Sequence, residues 1–161
     1  MSWARSTKRS AETRDSRSAP EDALTAAARL LAARPRSRAA LVRLLEARGF
    51  SAAAADGAAE RCVALGYLRE HELAQTLARD LLAAGHAPAA VRARLVAKQL
   101  DEATAQKAVD AEVKASGWSA LSAAKALLAK RRLSGARAVR FLLARGFEEE
   151  TARAAAGFDE M

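Results

Sequence analysis

Arginine and lysine supply the clearest chemical signal in this sequence. Residues 125–145 carry a net charge of +7 without any acidic residue, and residues 34–48 carry +4. Of the 27 basic residues 21 are arginine, whose planar guanidinium can bind a phosphate or a carboxylate through two parallel hydrogen bonds. The pattern predicts a surface that binds the backbone of a nucleic acid or an acidic groove on a protein polymer. A solvated charged face is the alternative interpretation.

The candidate contact residues follow from the placement of these charges. Arg36 and Arg43 lie seven residues apart, about two helical turns, so we expect them to share a helix face opposite Leu41 and Leu45. A comparable outward face is expected near the C-terminus, after a run of three basic residues. Between these segments the basic residues are accompanied by Asp101, Glu102, Asp110 and Glu112. The predicted binding residues are Arg36, Arg43, Lys130, Arg131, Arg132, Arg137, Arg140 and Arg145.

Residue types that support catalysis or metal binding are sparse. His71 and His86 are the two histidines, fifteen residues apart, and Cys62 is the sole cysteine. This leaves no cluster with the spacing of metal ligands, and the sequence has no glycine-rich phosphate loop followed by lysine and serine or threonine. We expect Cys62 to be a small core residue. A binding protein without catalytic residues, cofactor or metal is therefore predicted.

The elements that must position the basic residues are predicted to be helices. Apolar residues make up 51% of the 161 positions, but 45 residues are alanine, isoleucine is absent, and valine is scarce. Alanine, leucine and arginine are strong helix formers, whereas a β-sandwich or barrel needs several strands rich in β-branched residues. The fold class is therefore predicted to be all-α. A codon bias accounts for part of this composition but not for the clustering of charge.

Targeting and membrane segments are not expected. The longest stretch without a charged residue, residues 81–91, is 11 residues long, well short of the roughly 20 that a bilayer requires. The N-terminus lacks the apolar segment of a signal peptide, and a single cysteine agrees with a reducing compartment. We expect a cytoplasmic protein without membrane contact. Residues 1–20 are polar and carry +3, which predicts a disordered basic arm.

The remaining chain contains an internal repeat of about 50 residues. The segment 36–50 recurs at 133–147, and a weaker copy spans 86–100. Such a period is typical of stacked supersecondary units. Each unit is predicted to contain three short helices, which gives three tandem three-helix modules in an elongated, curved array. The predicted modules are residues 21–68, 69–116 and 117–161.

Helix ends are also predicted by the repeat. Gly49 and Gly146 are expected to end helices in the left-handed conformation, with the phenylalanine that follows each packed into the local core. Tyr67 and Trp118 follow similar glycines and are predicted to pack between neighbouring modules; stacking on a base is the alternative. Side-chain oxygens are predicted to cap the following helices at Ser37, Ser51, Asp101 and Ser134.

The order and spacing of these motifs resemble the RecX family. In chain order they are Arg36-Ser37 with Leu41, Leu45 and Arg48-Gly49-Phe50; Leu65-Gly66-Tyr67-Leu68 with Glu70 and Leu73-Ala74; Gly85 with Pro88, Val91 and Leu95; and Phe141-Leu142 with Arg145-Gly146-Phe147. The family usually has two acidic residues where this chain has Arg69-Glu70, and glycine in place of Gln99. We expect Gln99 to stay helical, so that the link changes while the module survives.

The resemblance implies a negative regulator of the RecA recombinase. Such a protein would bind in the groove of the RecA filament on single-stranded DNA and inhibit ATP hydrolysis and strand exchange, contributing to control of recombination, DNA repair and the SOS response. The expected partners are the RecA filament and single-stranded DNA, with double-stranded DNA as a second candidate, and a monomer is expected. Two alternatives stay open: a helical-repeat protein that binds nucleic acid without RecA, and a scaffold for another partner.

Overall fold

The computed structural model describes residues 20–158, and over this range the protein is all-helical, as predicted. Nine α-helices and no strands occur among these residues. The helices are α1 Pro20–Ala33, α2 Arg38–Ala47, α3 Ala52–Ala64, α4 Glu70–Ala83, α5 Pro88–Ala97, α6 Glu102–Ser116, α7 Ala120–Arg131, α8 Gly135–Leu143 and α9 Glu149–Ala155. The predicted arm, residues 1–20, lies outside the described residues except for Pro20, which opens α1.

The chain divides into two compact units. Unit 1 comprises the residues up to Leu73 together with Lys98–Leu100, and unit 2 comprises Ala74–Ala97 and the residues from Asp101 onward. In unit 1, α1, α2 and α3 pack against one another; in unit 2, α5 packs on α6, and α9 packs on α7 and α8. The division into three modules at 21–68, 69–116 and 117–161 stays a prediction.

The core of unit 1 is built largely from alanine. The buried face of α3 consists of four alanines and Cys62, a residue predicted to lie in the core. Leu41 and Leu45 of α2 are fully buried against this cluster, and Phe50 packs at its edge. Since alanine side chains are short, helices that bury them must approach closely, and close approach compensates for the small apolar area that each alanine contributes.

The core of unit 2 contains larger side chains. Phe147 is buried in a cluster with Leu128 of α7 and Leu142 of α8, so its predicted core position is confirmed. Trp118 stacks on Phe147 with ring centroids 6.2 Å apart. Offset stacking of this kind stabilises a core by about 1 kcal/mol beyond the area that it buries.

Side-chain caps hold the starts of several helices as predicted. Ser37 and Ser51 accept hydrogen bonds from the backbone N–H groups of Ala40 and Ala54 at 3.1 and 3.2 Å. Asp101 caps α6 in the same way. Ser134 occupies the cap position of α8, but among the described residues its hydroxyl accepts no capping hydrogen bond. The sequence pattern therefore identified the position of this cap but not its bonding.

The turn after α8 requires a glycine for two reasons. Gly146 has a φ of 85°, a left-handed conformation that side chains with a Cβ adopt at a cost of about 1–2 kcal/mol. A Cβ at this position would also lie 2.6 Å from the Cβ of Ala90. In this turn the Phe147 N–H donates to the Leu142 carbonyl at 3.2 Å, which turns the phenylalanine back into the core.

Gln99 does not stay helical, contrary to expectation. Its φ is 66°, so a residue with a Cβ occupies the left-handed position at which the other repeats have glycine. Within the described chain its buried side-chain oxygen has no hydrogen-bond partner. The following Leu100 is buried, as Phe147 is in the last repeat. Core packing of Leu100 therefore imposes a backbone conformation that local preference would avoid.

This strain predicts that Gln99→Gly stabilises the protein by about 1 kcal/mol, since glycine adopts positive φ freely and removes the buried oxygen. Urea unfolding should show a higher midpoint with an unchanged slope. Gln75→Gly in the interior of α4 is the matched control and should destabilise by a similar amount. Equal destabilisation by the two substitutions would contradict the strain at Gln99.

Candidate binding surface

Five predicted binding residues lie exposed on one continuous segment of unit 2, which we call the basic surface. Its residues are Lys130, Arg131, Arg132, Arg137 and Arg140. The first two belong to the last turn of α7, where the negative end of the helix dipole stabilises positive charge. Arg132 ends this helix in a left-handed conformation with a φ of 53°, and Arg137 and Arg140 lie one turn apart on α8. The segment therefore presents cations on two successive helices and the turn between them.

The charges of the basic surface are not compensated within the described chain. None of its five residues forms an ion pair with a carboxylate of residues 20–158, and no acidic residue interrupts 125–145. By contrast, Arg79 pairs with Glu112 at 3.6 Å and Arg92 pairs with Glu102 at 3.7 Å in the same unit. The acidic residues between the two basic segments thus neutralise their own neighbours and leave the basic surface positive.

Arg145 differs from the other predicted residues of unit 2 because the fold uses its guanidinium. Its Nη1 donates to the Ala84 carbonyl at 2.8 Å, and its Cζ lies 4.7 Å from the centroid of the Phe141 ring. Its backbone carbonyl accepts from the Ala87 N–H at 2.9 Å. These contacts join the end of α8 to the turn before α5. Participation of Arg145 in binding stays a prediction.

In unit 1 the two predicted arginines are not equivalent. Arg43 is exposed on α2, whereas α2 begins at Arg38, so Arg36 precedes the helix and does not share its face. The predicted common helix face is therefore wrong, because the cap at Ser37 starts the helix after Arg36. Arg36 is partly buried, and its Nε has no hydrogen-bond partner among the residues described. Its role in binding stays a prediction.

Glu70 has a positioning role that the sequence did not reveal. Its carboxylate accepts from the backbone N–H of Arg38 at 2.6 Å, at the start of α2. The Arg38 guanidinium pairs with Asp56 at 3.2 Å, and the buried Ser37 hydroxyl donates to the Lys98 carbonyl at 3.2 Å. These bonds hold the residues next to Arg36 in place. The only available sequence signal was that Glu70 follows Leu65-Gly66-Tyr67-Leu68 in a motif that resembles the RecX family, which says nothing about its distant partner.

The aromatic residues at the joints behave differently from each other. Trp118 packs on Phe147 of its own predicted module and on a cluster that also contains Ala87 of the preceding one, so its packing between modules stays a prediction. Tyr67 is 57% exposed, which overturns its predicted packing role. The adjacent Leu68 is buried instead and closes the core of unit 1.

His86 is the titratable group whose environment is most informative. Burial lowers the pKa of His86 from its ordinary value of 6.5, and the positive charges of Arg94 and Arg145 lower it further. Its Nδ1 is buried and has no hydrogen-bond partner in the described part of the chain. His86 follows Gly85 in a turn of the same kind as Gly146-Phe147. It therefore takes a position that is aromatic after Gly49, Gly117 and Gly146, which explains its desolvation.

Two further pKa shifts reflect local structure. Burial raises the pKa of the Cys62 thiol, so the thiol stays protonated in the core. Hydrogen bonds from the side chain and the backbone N–H of Thr104 hold the pKa of Asp101 below its ordinary value of 3.8. Both shifts follow from core packing and helix capping, so they indicate structural roles.

Sites of other kinds were searched over the same residues. Between residues 20 and 158 no group of three or more histidine, cysteine and acidic side chains is arranged to hold a metal ion. No helix of the described chain is long and apolar enough to cross a membrane.

Comparisons with known proteins show similarity to RecX. The model of the first three-helix domain of RecX matches residues 23–62. A curated protein, Regulatory protein RecX from Syntrophotalea carbinolica, is 36% identical over 90 residues, which cover 55% of this chain. The crystal structure of RecX from Lactobacillus salivarius matches with a TM-score of 0.65 over 86% of this chain and 95% of that chain. The chain is similar to RecX proteins in sequence over part of its length, and to one of them in fold. The alignment spans 59% of the length of the curated relative.

The sequence identity and the residues covered by each RecX match determine which conclusions it supports. The structural match has 15% sequence identity, so it concerns the fold. The matched RecX domain model ends before the basic surface begins. Arg36 and Arg43 lie inside the matched domain, and the basic surface lies outside it.

The environment of His86 predicts a loss of stability in mild acid. Below pH 6.5 the unfolded chain binds a proton at His86 that the folded chain resists, so the free energy of unfolding should fall as the pH drops through about 6.5. The pKa of Asp101 is lowered from 3.8, so its protonation affects the free energy of unfolding only in more acidic solution.

Urea unfolding at a series of pH values measures this effect. His86→Gln should flatten the dependence, and His71→Gln, at an exposed position of α4, should retain the slope of the wild type. An unchanged slope in His86→Gln would contradict the assignment.

Proposed function

We propose that this chain is a negative regulator of the RecA recombinase. It would bind in the groove of the RecA filament on single-stranded DNA and inhibit ATP hydrolysis and strand exchange, and so contribute to control of recombination, DNA repair and the SOS response. Similarity to RecX proteins is the observation that carries this proposal. The protein would act in the cytoplasm by binding and without a chemical step of its own.

The basic surface supports the proposal because its charge is available to a partner. A filament on DNA presents phosphates and carboxylates in a regular array, and complementary charge speeds association and fixes orientation. A polyanionic partner would compensate charges that no described carboxylate compensates. Arg36 and Arg43 of unit 1 would add to this contact.

A RecA ATPase titration on single-stranded DNA tests the proposal. The wild-type chain should lower the rate of ATP hydrolysis, and Arg131→Glu/Arg137→Glu should require about tenfold more protein for the same inhibition, since each reversal replaces attraction by repulsion. The matched control is Lys107→Glu/Lys114→Glu, which reverses two exposed charges of α6. No inhibition by the wild type at a several-fold excess over filament sites would refute the function.

A second candidate function is binding of nucleic acid without RecA, and it is favoured by the net charge of +7 over residues 125–145. It predicts that binding to single-stranded DNA weakens with salt, with a log–log slope of about −0.7 for each phosphate contacted. Arg131→Gln/Arg137→Gln should make that slope less steep by about 1.4. Fluorescence anisotropy over a range of salt concentrations measures it, with Lys107→Gln/Lys114→Gln as control. Tight filament binding without any DNA binding at low salt would exclude this candidate.

A further inference from the structure

Three large apolar side chains are exposed at the C-terminal end of α3. Val63, Leu65 and Tyr67, which we call the Tyr67 patch, are 51%, 48% and 57% exposed. They lie within five residues of one another in unit 1. The other exposed large apolar residues of the described chain belong to unit 2 and are dispersed in sequence, at Val96, Leu121, Leu143 and Phe158.

The fold does not need Tyr67 in this position. In the turn after α8, the residue that follows the left-handed glycine is Phe147, which is 4% exposed and part of the core. After Gly66 the core position is taken by Leu68, which is 5% exposed and whose N–H bonds to the Cys62 carbonyl at 3.2 Å. The tyrosine is thereby left outside, although a smaller polar residue would serve the turn as well.

The Tyr67 patch is held by backbone hydrogen bonds. The Tyr67 N–H donates to the Cys62 carbonyl at 2.8 Å, and the Gly66 N–H donates to the Val63 carbonyl at 3.0 Å. Arg69 closes the turn from the other side, because its Nε donates to the Gly66 carbonyl at 2.8 Å. A surface that is ordered before binding loses little conformational entropy in a complex, and tyrosine is enriched among residues that dominate binding energy.

The charge beside the Tyr67 patch indicates what it would contact. Arg61 lies one turn before Leu65 on α3, so the two side chains share a face. Arg61 is exposed and forms no ion pair with residues 20–158, whereas Arg69 pairs with Glu72 at 3.3 Å. The uncompensated charge at the edge of the patch is therefore positive. Val63 and Leu65 are aliphatic and cannot stack on a base, so the complementary partner would be a protein surface with an apolar pocket and a carboxylate at its edge.

We propose that the Tyr67 patch is a protein-docking surface that binds an apolar, acid-edged pocket on the RecA filament. The inference rests on the proposed function and adds a second contact of different chemistry. The basic surface would supply attraction that salt screens, and the patch would supply apolar burial that salt does not screen.

Binding of the full chain to RecA assembled on single-stranded DNA with a slowly hydrolysed ATP analogue tests the inference. Tyr67→Ala should weaken binding about tenfold or more, and to a similar extent at low and at raised salt. Arg61→Glu should weaken it as well. Leu121→Ala, at a site 41% exposed in unit 2, is the matched control and should bind as the wild type does. Tyr67→Ala should bind to DNA alone as the wild type does, and its urea unfolding midpoint should match that of the wild type.

The outcomes separate this inference from the proposed function. If Tyr67→Ala binds the filament as the wild type does, the Tyr67 patch is not a docking surface. The proposed regulation of RecA would be unaffected by that result. Absence of wild-type binding to the filament would refute both. Weaker binding of Tyr67→Ala to DNA alone would overturn the inference in favour of base stacking.

Discussion

The turn that ends a helix with a left-handed residue is the constraint on which most of this structure depends. The residue after it donates its N–H to a carbonyl five positions back, as Phe147 does to Leu142. That bond directs the next apolar side chain into the core and starts a new helix within a few residues. With only short helices and mostly alanine to bury, the protein needs these larger side chains at the turns to complete each core.

The same constraint explains three unusual residues. Gln99 takes the left-handed position with a Cβ because Leu100 must enter the core. His86 occupies the position of a core aromatic and is desolvated there, which lowers its pKa. Tyr67 escapes burial because Leu68 takes its place. The same turn thus contains a strained residue, a titratable residue or an exposed aromatic, depending on the side chains at the left-handed position and after it.

Charge is distributed by a different rule. Where acidic and basic residues alternate along the chain, as with Arg92 and Glu102, helix packing brings them together in ion pairs. Residues 125–145 contain no acidic residue, and the helix dipole of α7 tolerates cations at its end. Uncompensated charge on the surface is weakly destabilising in the free protein and becomes favourable when an anionic partner binds. This relation supports the proposal that the basic surface binds an anionic partner.

The amino-acid sequence alone determined the all-helical fold and the caps at Ser37 and Ser51. It also determined the left-handed helix end at Gly146, the burial of Phe147 and the location of the basic surface. These follow from propensity, capping chemistry and charge counting, which act over a few residues. Only the tertiary structure decided that Arg145 bonds to Ala84, that Arg36 lies outside α2, that Glu70 reaches the N–H of Arg38, and that Tyr67 is exposed. Each of these depends on which distant group competes for the same space or hydrogen bond, and sequence spacing carries no record of that competition.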